Sequence, residues 1–224
     1  MKKPRVALID YDMGNLRSVS RALEKVGCVV EWVVNPSRLK FADAMVLPGV
    51  GAFAVAVKNL KDRRLFDHIG SWIALEKPFL GICLGYQILF EESEENMDKG
   101  KNPRGIAVFE GKVKRLSGKK NLKIPHMGWN QVWQKPTPNA PWFKGIPDGT
   151  YFYFVHSYIP VPEDKNIICG TTDYGPEFAS CISGKNLFAS QFHPEKSSLV
   201  GIKLLDNFLK IVKRGEDDAC YSRG

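Results

Sequence analysis

The feature that most restricts the fold is the repeated pairing of a short, wholly apolar run with an amphipathic stretch over roughly the first 95 residues. Val6-Ala7-Leu8-Ile9 has no polar position to turn toward water, which predicts a strand buried on both faces, as in a parallel sheet. It ends in Asp10 and the turn-rich Asp12-Met13-Gly14-Asn15. Leu16, Val19, Leu23 and Val26 then recur at three- and four-residue spacing and predict a helix that Gly27 stops. Further strands are expected at Val29 to Val34, at Ala44 to Leu47 running into Pro48-Gly49-Val50-Gly51, and at Pro78 to Ile82. Helical segments are expected at about Phe53 to Leu75 and at Leu84 to Glu92. Parallel strands joined through helices need right-handed crossovers, so this half predicts a doubly wound α/β sheet.

From Ile106 to Phe192 the pattern changes to short apolar or aromatic runs, such as Val108 to Leu116, Tyr151 to Tyr158 and Ile167 to Thr172, separated by Gly, Pro and Asn. These predict hairpins and antiparallel additions to the sheet. Ser198 to Val212 closes as an amphipathic helix with Leu199, Ile202, Leu205, Leu209 and Val212 on one side. No composition shift marks a linker. A single domain over residues 1–214 is expected, with 215–224 as a frayed, disordered tail.

Charge and cysteine usage exclude several classes. The net charge of +8 is spread along the chain, which favours an anionic partner or surface, but no nucleic-acid motif accompanies it and no nucleic-acid partner is expected. The five cysteines, at 28, 83, 169, 181 and 220, show neither C-x-x-C pairing nor zinc-ligand spacing, so a reduced, cytoplasmic setting without a metal or other cofactor is expected. The apolar run after Lys2, Lys3 and Arg5 is too short for a signal-peptide core, and no run approaches the ~18 apolar residues of a membrane span.

One cysteine stands apart. Gly81-Ile82-Cys83-Leu84-Gly85 lies where an apolar strand meets a helix, and glycines two positions either side suit a tight elbow that lifts a nucleophile above the sheet edge. A helix starting at the elbow would favour the thiolate. The spacing alone leaves a buried core cysteine equally open. Gln191-Phe192-His193-Pro194-Glu195 shifts the balance, because a thiol with pKa near ~8.5 needs a base. Pro194 restricts His193 to extended backbone, which lets His193 and Glu195 project to one side, the carboxylate orienting the imidazole. Taken singly, each of these two residues also fits an ordinary strand end or helix start. His68 reads as solvated, His126 and His156 as structural, and Cys28, Cys169 and Cys181 as apolar fillers.

Pro48-Gly49-Val50-Gly51, the Cys83 elbow and His193-Pro194-Glu195-Lys196-Ser197 together resemble the class I, triad-type glutamine amidotransferases. Gly14-Asn15-Leu16-Arg17-Ser18, Pro125-His126-Met127-Gly128-Trp129-Asn130 and Tyr153-Phe154-Val155-His156-Ser157-Tyr158 are similar to the glutaminase subunits of imidazole glycerol phosphate synthases, over the chain to about Arg214. The resemblance implies a flavodoxin-like fold and glutamine hydrolysis to glutamate and ammonia by Cys83, His193 and Glu195. It implies a heterodimer with a (β/α)8-barrel cyclase that consumes the ammonia to make imidazole glycerol phosphate and an aminoimidazole carboxamide ribotide for histidine and purine synthesis. Oxyanion donors are then expected from Leu84 and from Val50 or Gly51. Gly51, Gln87, Glu95, Ser157 and Tyr158 would hold the glutamine, and Asn15, Trp129, Tyr153 and Lys196 would face the partner. Trp129 and Tyr153 fit core packing equally well. Competing readings are a different ammonia acceptor such as a sugar-aminating enzyme, a γ-glutamyl hydrolase or cysteine peptidase, and a non-catalytic redox or binding protein.

Overall fold

Strand β1 (Arg5–Ile9) turns Val6 and Leu8 to one apolar cluster and Ala7 and Ile9 to another, and all four side chains are buried. A strand covered by helices on both faces has no wet side, which explains why it is apolar at every position after Arg5. The computed structural model describes residues 3–95, 101–117, 122–136 and 141–221, the side chains of 214–221 excepted.

After β1 come α1 (Leu16–Lys25), β2 (Val29–Val33), β3 (Ala44–Leu47), α2 (Phe53–Asp62), α3 (Phe66–Ala74), β4 (Phe79–Ile82), α4 (Leu84–Gln87), β5 (Phe90–Ser93) and β6 (Phe109–Arg115). The chain continues through β7 (His126–Gln134), β8 (Thr150–His156), β9 (Tyr158–Pro162), β10 (Ile168–Asp173), β11 (Glu177–Ser183), β12 (Leu187–Ser190) and α5 (Ser198–Tyr221). Among the described residues, nine strands form one sheet in the order β2-β1-β3-β4-β12-β11-β10-β7-β8. The five strands from β2 to β12 are parallel and the remaining pairings antiparallel. That parallel order is the flavodoxin-like one. Helices α1 and α5 cover one face with Val19, Leu23, Leu204 and Phe208, and α2 and α3 cover the other with Phe53, Leu60, Ile69 and Trp72.

Three details depart from the sequence reading. The segment Leu84 to Glu92 is one helical turn followed by a strand, because Phe90 to Ser93 pairs in parallel with β6. With β6 and β9 it builds a separate three-stranded sheet, so not every second-half strand joins the main one. The helical segment from Phe53 breaks in two at Arg64, whose φ of 58° is left-handed. At the end of the chain, α5 continues past Val212 to Tyr221, while 222–224 of the expected tail lie outside the described residues. Among the described residues no helix is long and apolar enough to cross a membrane.

The turn from β4 to α4 positions the cysteine. Cys83 adopts φ 54° and ψ −105°, a region that a side-chain-bearing residue enters at a cost and that a nucleophile elbow imposes. Gly85 is required by close approach: a Cβ there would lie 1.9 Å from the Leu47 carbonyl oxygen of β3. Substitution Gly85→Ala therefore pushes the elbow off the sheet. We expect a loss of about 3 kcal/mol, or a thermal midpoint lower by about 10 °C. An unchanged melting curve would contradict this packing.

Candidate active site

Strand β4 lies between β3 and β12, with Leu47 opposite Gly81 on one side and Ala189 opposite Gly81 on the other. The three strands are parallel, so their carboxyl ends open onto one edge, the usual place for a site in such a sheet. Pro48 to Gly51 follows β3, Cys83 follows β4, and His193 follows β12. Register thus brings together groups that lie far apart in the sequence.

Pro194 starts a 3-10 turn, Pro194–Lys196, and His193 before it is extended at φ −104° and ψ 97°. The sequence reading anticipated the extended His193, but Glu195 sits on the turn rather than on a continuing strand, since a proline's fixed φ suits a first helical position. Glu195 still reaches back: its Oε1 lies 2.8 Å from His193 Nδ1, and both side chains are 2% exposed. A carboxylate can only accept, so Nδ1 carries a proton and Nε2 is the end free for proton transfer. The ring is fixed further by backbone. His193 N–H donates to the Tyr153 carbonyl at 2.9 Å, and the Ser197 hydroxyl donates to the His193 carbonyl at 2.7 Å.

Nε2 is buried and has no hydrogen-bond partner of good geometry. Burial by itself would depress this imidazole, but the charge of Cys83 and the Glu195 carboxylate outweigh it and raise the group to about 10. The environment thus favours the imidazolium form of His193. The sulfur donates weakly to the Val155 carbonyl at 3.9 Å and receives the Gln191 side-chain amide, Nε2 to Sγ, at 3.5 Å. Helix α4 contributes less than the sequence suggested. It has only one turn, so its dipole is small, and the Leu84 N–H is already taken by the Gly49 carbonyl at 3.3 Å. In this conformation that expected oxyanion donor is occupied.

A cleft of about 580 Å³ opens beside the sulfur, and its walls include Val50, Gly51, Cys83, Leu84, Gln87, Glu95, Ser157, Tyr158 and Lys196. All of the expected glutamine-holding residues are gathered here. Glu95 is not a solvated surface carboxylate. Its Oε2 accepts from Phe53 N at 2.8 Å, capping α2, and burial raises its pKa against the opposing effect of that backbone bond. Among the described residues no cluster of three or more His, Cys, Asp or Glu could hold a metal ion.

The residue that the sequence reading passed over is Gln191, which is fully buried. Its position two residues before His193 on the same strand end was the available signal, because alternate residues share a side. Gln87 Nε2 donates to the Tyr158 carbonyl at 3.0 Å and to Gln191 Oε1 at 3.1 Å.

At the cleft wall, His156 forms a buried pair with His126, which lies behind it. His156 Nδ1 lies 3.1 Å from the Tyr158 carbonyl, His156 Nε2 lies 2.9 Å from His126 Nδ1, and the Asn130 amide lies 3.3 Å from His126 Nε2. A carbonyl only accepts, so every proton in this chain is assigned: Asn130 donates to His126, His126 to His156, and His156 to Tyr158, with both rings neutral. His126 is further stacked on Tyr174 at 3.8 Å and on Phe154 at 4.9 Å. Burial lowers His126 from 6.5 to about 4, and burial followed by the neighbouring His126 lowers His156 to about 3. Unfolded, each would bind a proton near 6.5. The pair therefore stabilises the fold fully above about pH 6.5, and this stability is lost as pH falls toward 4 and 3. Thermal midpoints should drop through that window, with a shallower acid limb in His126→Gln and His156→Gln. Equal slopes in variant and native protein would rule out the pair as the cause.

At the rim, the cross-strand pair Trp129 and Tyr153 packs edge to face at 6.1 Å, Trp129 is 51% exposed, and Lys196 Nζ sits 5.8 Å over the Tyr153 ring. Core packing is thereby excluded for Trp129. Met127 continues the outward face at 62% exposure. Asn15 is also exposed, caps α1 by accepting from Ser18 N at 3.3 Å, and follows Gly14, which packs beside Gly49.

The sequence pattern of the family described as Glutamine amidotransferase class-I matches residues 7–212. The protein from Thermosynechococcus vestitus named imidazole glycerol phosphate synthase subunit HisH is 49% identical over 214 residues, 95% of this chain and 100% of the relative. Proteins of the same name from Moorella thermoacetica and Aquifex aeolicus are each 49% identical, over 93% and 91% of this chain and 95% of each relative. Among solved structures, a putative GMP synthase subunit from Thermoplasma acidophilum superimposes with a TM-score of 0.73 at 19% identity, covering 98% of both chains. PurLQS from Thermotoga maritima gives 0.70 at 19% identity, covering 95% of this chain and 99% of the other. At that identity the likeness is one of fold.

Proposed function

The chain belongs to the class I glutamine amidotransferases and, within them, to the HisH subunits of imidazole glycerol phosphate synthase, and on that premise we propose that Cys83, His193 and Glu195 hydrolyse glutamine to glutamate and ammonia. The observation that carries the reading is the His193 imidazole, held by Glu195 at 2.8 Å, with its unpartnered Nε2 turned to the Cys83 side of the cleft.

Cys83 Sγ attacks the side-chain carboxamide carbon of glutamine, and its proton resides on His193 Nε2. His193 passes that proton to the departing nitrogen as the C–N bond breaks, leaving a thioester and free ammonia. Water then gives a proton to His193 Nε2, attacks the thioester carbon and releases glutamate, and the proton returns to the sulfur. Glu195 stays ionised, orients the ring and stabilises the imidazolium. Gln87, Glu95, Gly51, Ser157 and Tyr158 hold the amino and carboxylate ends of the substrate. Both N–H bonds of Gln87 are directed at protein acceptors, which leaves its carbonyl oxygen for the ammonium.

The tetrahedral oxyanion requires the Leu84 N–H and one from Val50 or Gly51, worth on the order of 10²–10³ in rate per donor. With the Gly49 carbonyl on Leu84 N, the Gly49–Val50 peptide must rotate before turnover. We assign that rotation to association with a (β/α)8-barrel cyclase, which takes up the ammonia to make imidazole glycerol phosphate and an aminoimidazole carboxamide ribotide. The exposed aromatic face at Trp129 and Tyr153, with Lys196 and Asn15, borders the same rim and is the docking surface. Ammonia released beneath it passes to the partner without being protonated in bulk water.

Ammonia release from glutamine, measured with the cyclase present, tests the reading. Cys83→Ala should abolish it, and Glu195→Gln should lower kcat by about 10²–10⁴. Release of ammonia at the native rate by Cys83→Ala, or preferential cleavage of γ-glutamyl peptides, would overturn it. For the docking face, Trp129→Ala should weaken cyclase binding by about 2 kcal/mol, roughly 30-fold. Unchanged affinity in a titration would place the interface elsewhere.

A further inference from the structure

We propose that Gln191 is a positioning residue for the nucleophile: its side-chain amide donates to the Cys83 sulfur, stabilises the thiolate, and at the same time locks Gln87 so that its carbonyl oxygen faces the substrate. The inference rests on the glutaminase reading and adds a residue to it.

The orientation of the amide follows from its neighbours rather than from its own outline. The Tyr158 carbonyl can only accept, so the Gln87 atom 3.0 Å away is its nitrogen. The second hydrogen of that nitrogen points to Gln191, 3.1 Å away, so the Gln191 atom there is its oxygen. The remaining end of the Gln191 amide, 3.5 Å from Cys83 Sγ, is therefore an N–H group. The Tyr158 carbonyl receives a second donor, His156 Nδ1 at 3.1 Å, which must carry a hydrogen because a carbonyl only accepts. The chain of donors thus has one direction from Asn130 to the Tyr158 carbonyl, and a second from Gln87 through Gln191 to the sulfur.

Gln191 has no freedom to do otherwise. It is fully buried, its backbone N–H donates to the Ser180 carbonyl at 2.8 Å, and it sits between β12 and His193. A glutamine buried this deeply against a sulfur is hard to explain by packing, since methionine would fill the same volume without two polar ends to satisfy. Its value lies in the charged state of its neighbour. A thiol gains little from an N–H donor, whereas a thiolate in a dry site gains substantially. The one-turn α4 and the occupied Leu84 N–H leave the sulfur with two stabilising partners, the His193 imidazolium and the Gln191 amide.

The test measures Cys83 alkylation by iodoacetamide as a function of pH in the full chain, with modification at residue 83 read by peptide mass spectrometry. Gln191→Met removes both polar ends at nearly constant volume. The midpoint should move up, slowing alkylation at pH 7 by about tenfold, while Gln191→Glu, which sets a carboxylate against the thiolate, should move it further. Glutaminase assayed alongside should show a raised KM as well as a lowered kcat, because Gln87 loses its lock. Should Gln191→Met fail to fold, the native chain decides: the Gln191 side-chain amide proton resonance should shift with the same pH midpoint as Cys83 alkylation and lose that dependence in Cys83→Ala. An alkylation profile identical to native in a folded Gln191→Met, or an amide resonance indifferent to the thiol, would overturn the proposal. Absence of glutaminase in the native complex would instead sink the functional reading and leave the amide–sulfur contact to be judged on the alkylation data alone.

Discussion

The parallel pairing of β4 with β3 on one side and β12 on the other is the constraint on which the site depends. It places Gly49, Cys83 and His193 at neighbouring strand ends, and it does so through backbone hydrogen bonds that leave no slack in register. A slip of one residue in either pairing would turn the following side chain to the opposite face. The glycines of the elbow serve that pairing, since Gly85 lets α4 begin against the Leu47 carbonyl. Function here is a property of strand register before it is a property of any side chain.

The chemistry around the sulfur is set by which polar groups are left without alternatives. His193 has one nitrogen committed to Glu195 and the other buried without a partner, so its proton has one useful destination. Gln87 has both hydrogens committed to protein carbonyl groups. The Leu84 amide, in contrast, is satisfied by the Gly49 carbonyl. On the proposed mechanism, the site combines a prearranged base with an oxyanion hole still to be assembled.

The outer rim joins this logic to association. Tyr153 contributes its carbonyl to the His193 backbone and its ring to the exposed aromatic face, so one residue touches both the base and the proposed docking surface. Ser197, bonded to both His193 and Tyr153, ties the same two elements together. Three hydrogen bonds thus connect that face directly to the strand end that carries His193.

Much of this was legible in the sequence because it depends on local rules. Wholly apolar runs announce strands covered on both faces, Gly81 and Gly85 announce an elbow, and Pro194 announces an extended His193. Other features were not local. Phe90 to Ser93 has no strand signature of its own and becomes a strand only because β6 lies beside it, and Glu95 in an acidic run looks solvated until α2 presents an uncapped N-terminus to it. Whether Trp129 faced the core or the outside could not be decided by an aromatic in an alternating strand, since both faces accept it. The role of Gln191 depended on Gln87 and Tyr158, brought to it from elsewhere in the chain. Sequence by itself determined which elements form and which residues are chemically competent, because those follow from backbone conformation and side-chain type. Tertiary structure alone decided which of them meet and which protons point where, because hydrogen-bond direction is fixed by partners that only the folded sheet brings within reach.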